Sequence, residues 1–202
     1  MTRRLSVDLH RPDPAVLARA AEALSGGALV AFPTETFYGL GAAALDAGAV
    51  RRVFEVKGRP ESRPLLVLVD SEAMVDTVAA EIPARARALM ARHWPGPLTL
   101  VLRARPTVPA EVHAGTGTIG VRLSPHPVAT GLVRALGAPI TAPSANITGQ
   151  PPPTEAGAVV RDFDGKIALV LDAGPTPGGP PSTVLDVTVD PPRLIRAGAV
   201  AV

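Results

Sequence analysis

Ala28-Leu29-Val30-Ala31-Phe32-Pro33-Thr34-Glu35-Thr36-Phe37-Tyr38-Gly39-Leu40-Gly41 passes from an apolar run into hydroxyls, one carboxylate and two glycines. Ala28 to Phe32 is short, continuous and apolar, the pattern of a buried strand. Thr34, Glu35 and Thr36 follow where that strand ends, the usual place for ligands in open α/β sheets. The segment from Pro33 to Gly41 itself reads as a loop or turn punctuated by Pro and Gly. Upstream, Asp13 and Pro14 read as an N-cap and a first helical residue. Val16, Leu17, Ala20, Ala21 and Leu24 then recur at helical spacing, and Gly26-Gly27 stop the helix. Downstream, Asp46 caps a second helix through about Glu55, with Val50, Val53 and Phe54 on one face. The order helix, strand, site-like loop, helix sets the class as α/β.

The rest of the chain continues that alternation. Leu65 to Val69, Leu98 to Leu102, Thr118 to Leu123, Pro139 to Ala142, Ile167 to Leu171 and Thr183 to Val187 read as strands. Helices are expected from Pro83 toward Trp94, from Val128 to Leu136 closed by Gly137, and from Thr154 to Phe163. Several strands lie close together after Leu98, so a mixed open sheet flanked by helices is expected rather than a purely parallel one. The Pro/Gly-rich stretches Gly149 to Pro153 and Gly174 to Pro181 read as surface loops bordering candidate site residues.

With 202 residues, one large domain over 1–202 is the expectation. Hydrophobic residues make up 47% and aromatics 3%, so the core must be mainly aliphatic. The net charge of +2, with no basic run, does not mark a nucleic-acid tail. Cysteine is absent, which excludes disulfides, thiolate metal sites and Cys nucleophiles. No signal peptide and no apolar segment of about 18 to 20 residues is seen, so a cytoplasmic protein without a membrane segment is expected.

Lys57-Gly58-Arg59-Pro60 stands out because eighteen of the 20 basic residues are arginines. A compact ammonium beside a planar fork suits an anion clamp. The same four residues also fit a helix end, with a cation in the last turn and then Gly and Pro. Both side chains follow a helix, so their truncation is expected to cost little packing. Arg122 sits between apolar neighbours in the strand Thr118-Ile119-Gly120-Val121-Arg122-Leu123. Its charge demands either a bound anion, which is favoured, or an internal carboxylate. Thr141-Ala142-Pro143-Ser144-Ala145-Asn146 leaves a strand as small polar residues that admit a ligand close to the backbone. Ser182-Thr183 and Arg193-Leu194-Ile195-Arg196-Ala197-Gly198 place two hydroxyls and further arginines near the end of the chain. There is no phosphate-binding P-loop, no dinucleotide glycine fingerprint, no metal-spaced His pair and no nucleophile elbow. His93, His113 and His126 read as surface or packing residues.

Seven motifs stand in order from Thr34 to Gly198. They are Pro-Thr-Glu-Thr-x-Tyr-Gly-Leu, Lys-x-Arg-Pro, Trp-Pro-Gly-Pro-Leu-Thr, Gly-Val-Arg, Ala-Pro-Ser-Ala-Asn, Ser-Thr-Val and Arg-x-Gly. Together they resemble the YrdC-like family. The resemblance implies a twisted α/β sheet with a concave, positively lined cavity. It also implies synthesis of threonylcarbamoyl-AMP and pyrophosphate from L-threonine, bicarbonate and ATP, for the threonylcarbamoyl modification of adenosine in tRNA. By resemblance, Lys57 and Arg59 are catalytic. Lys57, Arg59, Arg63, Thr118, Ala142, Ser144, Asn146 and Arg196 serve ATP, and Thr36, Arg122 and Ser182 serve threonine. Mg2+ is expected with ATP, held largely by phosphates and water. Implied partners are downstream threonylcarbamoyl-transferase proteins, with RNA or tRNA contact as a further expectation.

The chain departs from the family pattern at Arg63, where many relatives have Asn, and at Leu68, where some have His. It stops at Val202, as in the short form of the family. Two rival readings are a double-stranded RNA-binding module and the related carbamoyl-adenylate domain of hydrogenase-maturation proteins. The modest charge and few aromatics weigh against the first, and the lack of cysteine against the second.

Overall fold

The computed structural model describes residues 1–202. Ten strands and seven helices follow one another as β1 (Arg3–Ser6), α1 (Pro14–Ser25), β2 (Val30–Pro33), β3 (Tyr38–Gly41), α2 (Ala47–Lys57), β4 (Leu66–Leu68), α3 (Glu72–Val75), α4 (Ala84–His93), β5 (Leu98–Arg103), α5 (Ala110–His113), β6 (Thr118–Arg122), α6 (Pro127–Leu136), β7 (Ile140–Thr141), α7 (Ala156–Phe163), β8 (Leu169–Asp172), β9 (Thr183–Asp186) and β10 (Arg193–Arg196). The α/β class stands, but the strands form two mixed sheets rather than one. Their orders are β1-β8-β2-β3 and β10-β9-β5-β6-β4-β7.

Local chemistry places the helix ends. Asp13 accepts the Ala15 amide at 2.8 Å, with Pro14 in the first turn of α1. Asp46 accepts Gly48 N at 2.8 Å and Ala49 N at 3.1 Å, so α2 starts where an Asp can satisfy free amides. Gly58 ends α2 in the left-handed region at φ 57°, and Arg59 N returns to Phe54 O at 3.0 Å. His126 caps α6 through the Val128 amide. It is buried there in a structural role.

Three strands escape the sequence reading. β1 carries Arg3, Arg4 and Ser6 and pairs only with β8. β10 is exposed along its whole length. β3 lies in the stretch expected as a loop; it pairs antiparallel with β2, joining Pro33 to Tyr38 and Val30 to Gly41. The chain thus turns through Thr34–Phe37 in a hairpin, and the Thr34 hydroxyl donates to Phe37 O at 2.7 Å inside it.

The two sheets meet edge to edge. Thr141 N in β7 donates to Ala42 O at 2.9 Å, Leu40 N to Pro143 O at 2.8 Å, and Ala145 N to Tyr38 O at 2.7 Å. Helices α1 and α6 pack through Leu17, Leu24, Leu132 and Val133 against Val30, Phe32 and Leu171, forming one core. The larger core takes Val50, Val53 and Phe54 of α2 with Leu98, Leu100, Leu102, Ile119 and Val121 of β5 and β6. Those strand residues alternate along the chain, so one face of the six-stranded sheet is buried in aliphatic core. The other face carries the site.

Candidate active site

The opposite face of the same strands lines a cavity of about 800 Å³. Thr99 and Val101 come from β5, Thr118, Gly120 and Arg122 from β6, Ser182, Val184 and Asp186 from β9 and its approach, and Ile195 and Arg196 from β10. The sets from β5, β6 and the β9 segment are spaced by two, as a pleated strand requires, whereas Ile195 and Arg196 are adjacent, at the register irregularity of β10. The walls are the Thr34–Gly39 hairpin, Ala142–Ser144, and the Arg59 and Pro64–Leu66 segment. Four arginines line the cavity, Arg59, Arg122, Arg193 and Arg196, against one carboxylate, Asp186. Asp186 is itself engaged by the Thr188 hydroxyl at 2.6 Å and by Arg193 at 3.0 Å. The cavity therefore carries excess positive charge over a floor of hydroxyls, a setting for anions.

Of the site residues expected from sequence, Thr36, Arg59, Thr118, Arg122, Ala142, Ser144, Ser182 and Arg196 line this one cavity. Chain segments more than a hundred residues apart therefore converge. Lys57, Arg63 and Asn146 are not among the lining residues. Arg63 is exposed, and its carbonyl accepts Arg59 Nε at 3.3 Å while Pro64 O accepts Arg59 Nη2 at 2.9 Å. Asn146 is buried and donates to Ile147 O at 2.9 Å and Gln150 O at 2.7 Å, tying its loop together. Leu68 is buried in the smaller core.

Lys57 corrects one expectation. It is the last residue of α2 and 2% exposed, so its truncation is not free of packing cost. Its ammonium donates to Ser144 O at 2.5 Å and Asn146 O at 2.6 Å, clasping the Ala142–Asn146 loop from behind. Burial, then the charge of Arg59, lowers its pKa to about 8. The helix-end reading holds as well, since Gly58 stops α2 directly after it.

Arg122 corrects another. The favoured partner was an anion alone, but an internal carboxylate is present: its side chain is 4% exposed and Nη1 pairs with Glu35 Oε1. Glu35 Oε2 accepts the Ser124 hydroxyl at 2.6 Å. The hairpin turn between β2 and β3 is what carries Glu35 to the end of β6. Sequence could name Glu35 as a carboxylate at a strand end but could not pair it across 87 positions.

Arg196 holds Ser182 from β10, with Nε and Nη2 donating to Ser182 O at 3.0 and 2.8 Å and Nη2 to its hydroxyl at 3.0 Å. The Ser182 hydroxyl also lies 3.0 Å from that of Thr99. Burial, then the charge of Arg122 in the same cavity, lowers the Arg196 pKa. No three His, Asp or Glu side chains group into a metal cage.

The Sua5/YciO/YrdC model, described as "Telomere recombination", matches residues 22–198. The chain belongs to the Sua5/YciO/YrdC family. Within this family it is 50% identical over 179 residues to a threonylcarbamoyl-AMP synthase of Pyrococcus abyssi, covering 89% of this chain and 53% of that one. It is 44% identical to a threonylcarbamoyl-AMP synthase of Bacillus subtilis, over 98% of this chain and 59% of that one. The structure of P. abyssi Sua5 complexed with L-threonine superposes with a TM-score of 0.94 at 47% identity, covering 98% of this chain and 58% of that one. The chain thus spans somewhat over half the length of these relatives. No helix is long and apolar enough to cross a membrane.

Proposed function

We propose that residues 1–202 form a catalytic unit that makes threonylcarbamoyl-AMP and pyrophosphate from L-threonine, bicarbonate and ATP, in the cytoplasm, for threonylcarbamoylation of tRNA. The observation that carries this reading is the convergence of Arg59, Arg122, Arg196, Ser144 and Ser182 on one cavity. Its volume of about 800 Å³ is of small-ligand size, not that of an RNA duplex. The family relationship, and a relative crystallised with L-threonine, support the choice of substrates.

The chemistry needs no protein nucleophile. Threonine's neutral amine and bicarbonate condense to a carbamate with loss of water, which takes the amine proton and one bicarbonate oxygen, and the carbamate's carboxylate attacks the α-phosphate in line. A new C–O–P link forms, the bond to the β-phosphate oxygen breaks, and pyrophosphate leaves with the electron pair. Catalysis then rests on placing two anions together and on neutralising charge. Arg59 and Arg196 would hold the triphosphate, assisted by Ser144. Thr36, Arg122 and Ser182 would hold threonine, and Thr118 and Ala142 the nucleotide side. Lys57 would act partly by fixing the loop that carries Ser144, with Asn146 bracing that loop. Mg2+ fits as a companion of the triphosphate, because Asp186 is the one lining carboxylate and is already engaged. Downstream transferase proteins would consume the labile product.

Pyrophosphate release by this chain tests the reading. It should require ATP, threonine and bicarbonate together. Release indifferent to threonine and bicarbonate would sink the proposal.

A further inference from the structure

We infer that Glu35 is a positioning residue, whose carboxylate bridges Arg122 and Ser124 and so aims the remaining donors of Arg122 at a carboxylate-bearing ligand. The inference rests on the functional reading above, and identifies what sets its threonine subsite.

Glu35 is engaged at both oxygens. Oε1 takes Arg122 Nη1, and Oε2 takes the Ser124 hydroxyl at 2.6 Å. Ser124 is anchored in turn: its hydroxyl accepts His126 N at 3.1 Å, and its carbonyl accepts the Thr130 hydroxyl at 2.7 Å. Glu35 is therefore tied through the entry of α6 to a rigid element. Glu35 is not among the cavity-lining residues, whereas Arg122 is. Of the two side chains that Glu35 engages, Arg122 is the one that reaches the cavity, so Arg122 is the contact through which the Glu35 carboxylate acts there.

Arg122 has donors to spare. Glu35 is the sole protein acceptor of its side chain, and its Nε is buried with no partner. A buried guanidinium with donors that lack an acceptor, in the wall of an arginine-lined cavity, suits a ligand oxygen. Charge agrees with that reading. Arg122 and Arg196 line the same cavity, and Glu35 offsets the charge of Arg122.

The test is a double-mutant cycle read by threonine saturation of pyrophosphate release, with ATP and bicarbonate saturating. Glu35→Ala should raise the threonine KM about tenfold with kcat changed less than about threefold, as expected for a lost aiming contact to a charged group. Glu35→Gln keeps an acceptor oxygen on Arg122 and should restore the KM to within about threefold of wild type. In an Arg122→Lys background, Glu35→Ala should add less than about twofold, because the group it aims is gone. If Glu35→Ala does not fold, Glu35→Asp replaces it, since the shorter side chain cannot span both partners; a KM rise is again expected. An unchanged KM, or an equal rise in both backgrounds, overturns the inference. A wild-type enzyme with no threonine dependence overturns the functional reading itself, and the inference with it.

Discussion

Lys57, Arg59 and Arg122 are three cations in three different environments, and their predicted behaviours differ accordingly. Lys57 has a pKa lowered to about 8 by burial first and by Arg59 second, against an offset from Asp162. Below pH 8 the folded and unfolded chains both hold the proton, and the burial of the charge weighs fully on stability. Between pH 8 and the free value of 10.5 the unfolded chain binds more protons, so stability rises with pH. Denaturant titrations of wild type and Lys57→Met across that window should show an upward slope in the wild type that the variant lacks. Equal slopes would place the ammonium in a wetter site than its two carbonyl contacts describe. Arg59 lines the cavity with modest packing, so Arg59→Ala should leave the melting temperature nearly unchanged. It should lower kcat about a hundredfold, the size of a lost transition-state contact of about 3 kcal/mol. Normal turnover would return Arg59 to a helix-end role. Arg122→Lys keeps the charge but cannot meet Glu35 and a ligand carboxylate with one planar fork. It should weaken threonine by about 1 to 3 kcal/mol while sparing ATP. Substrate titrations separate the two; a fall in stability with unchanged threonine dependence would make Arg122 a structural ion-pair partner alone.

Strand alternation explains why one element serves both core and site. In β6, Ile119 and Val121 enter the core, while Thr118, Gly120 and Arg122 line the cavity. The sequence showed Arg122 as a charge among apolar neighbours, because those neighbours lie on the opposite face. Long apolar helices and strands were legible: the capped α1 and α2 and the run of β5 fall where periodicity and Asp or Gly signals place them. β3 was not legible, because Tyr38-Gly39-Leu40-Gly41 has the glycines of a turn. Its glycines answer to packing instead: a Cβ on Gly41 would stand 2.9 Å from the Phe32 ring. β10 was not legible either, since its pairing with β9 across a bulge leaves no buried face to pattern. Which residues meet was the least accessible part, because Glu35 with Arg122 and Lys57 with Ser144 are contacts of tertiary structure. Gly198 shows a constraint of the same kind. A Cβ there would lie 2.2 Å from Pro181 O and 2.6 Å from Ser182 C. Gly198→Ala should therefore displace the backbone that presents Ser182 to Arg196. We expect a stability loss of about 1 to 3 kcal/mol, with reduced pyrophosphate release. Wild-type values in both melting and turnover would show that this end of the chain is free to shift.

At the scale of the whole molecule, two mixed sheets joined along β3 and β7 curve around one cavity. Its floor is the polar face of a sheet whose other face is aliphatic core. The hairpin, the Lys57-clasped loop and β10 bring the candidate threonine groups and the candidate phosphate groups to that common floor. In the proposed reaction this arrangement places an amino-acid carbamate against a nucleotide α-phosphate without a protein nucleophile. That reaction is tested most directly by mass spectrometry of the nucleotide products formed by this chain from ATP, L-threonine and 13C-bicarbonate. A threonylcarbamoyl adenylate that carries the label is expected, formed in step with pyrophosphate. Conversion of ATP to unlabelled AMP or ADP alone, with no adduct of threonine, would contradict it.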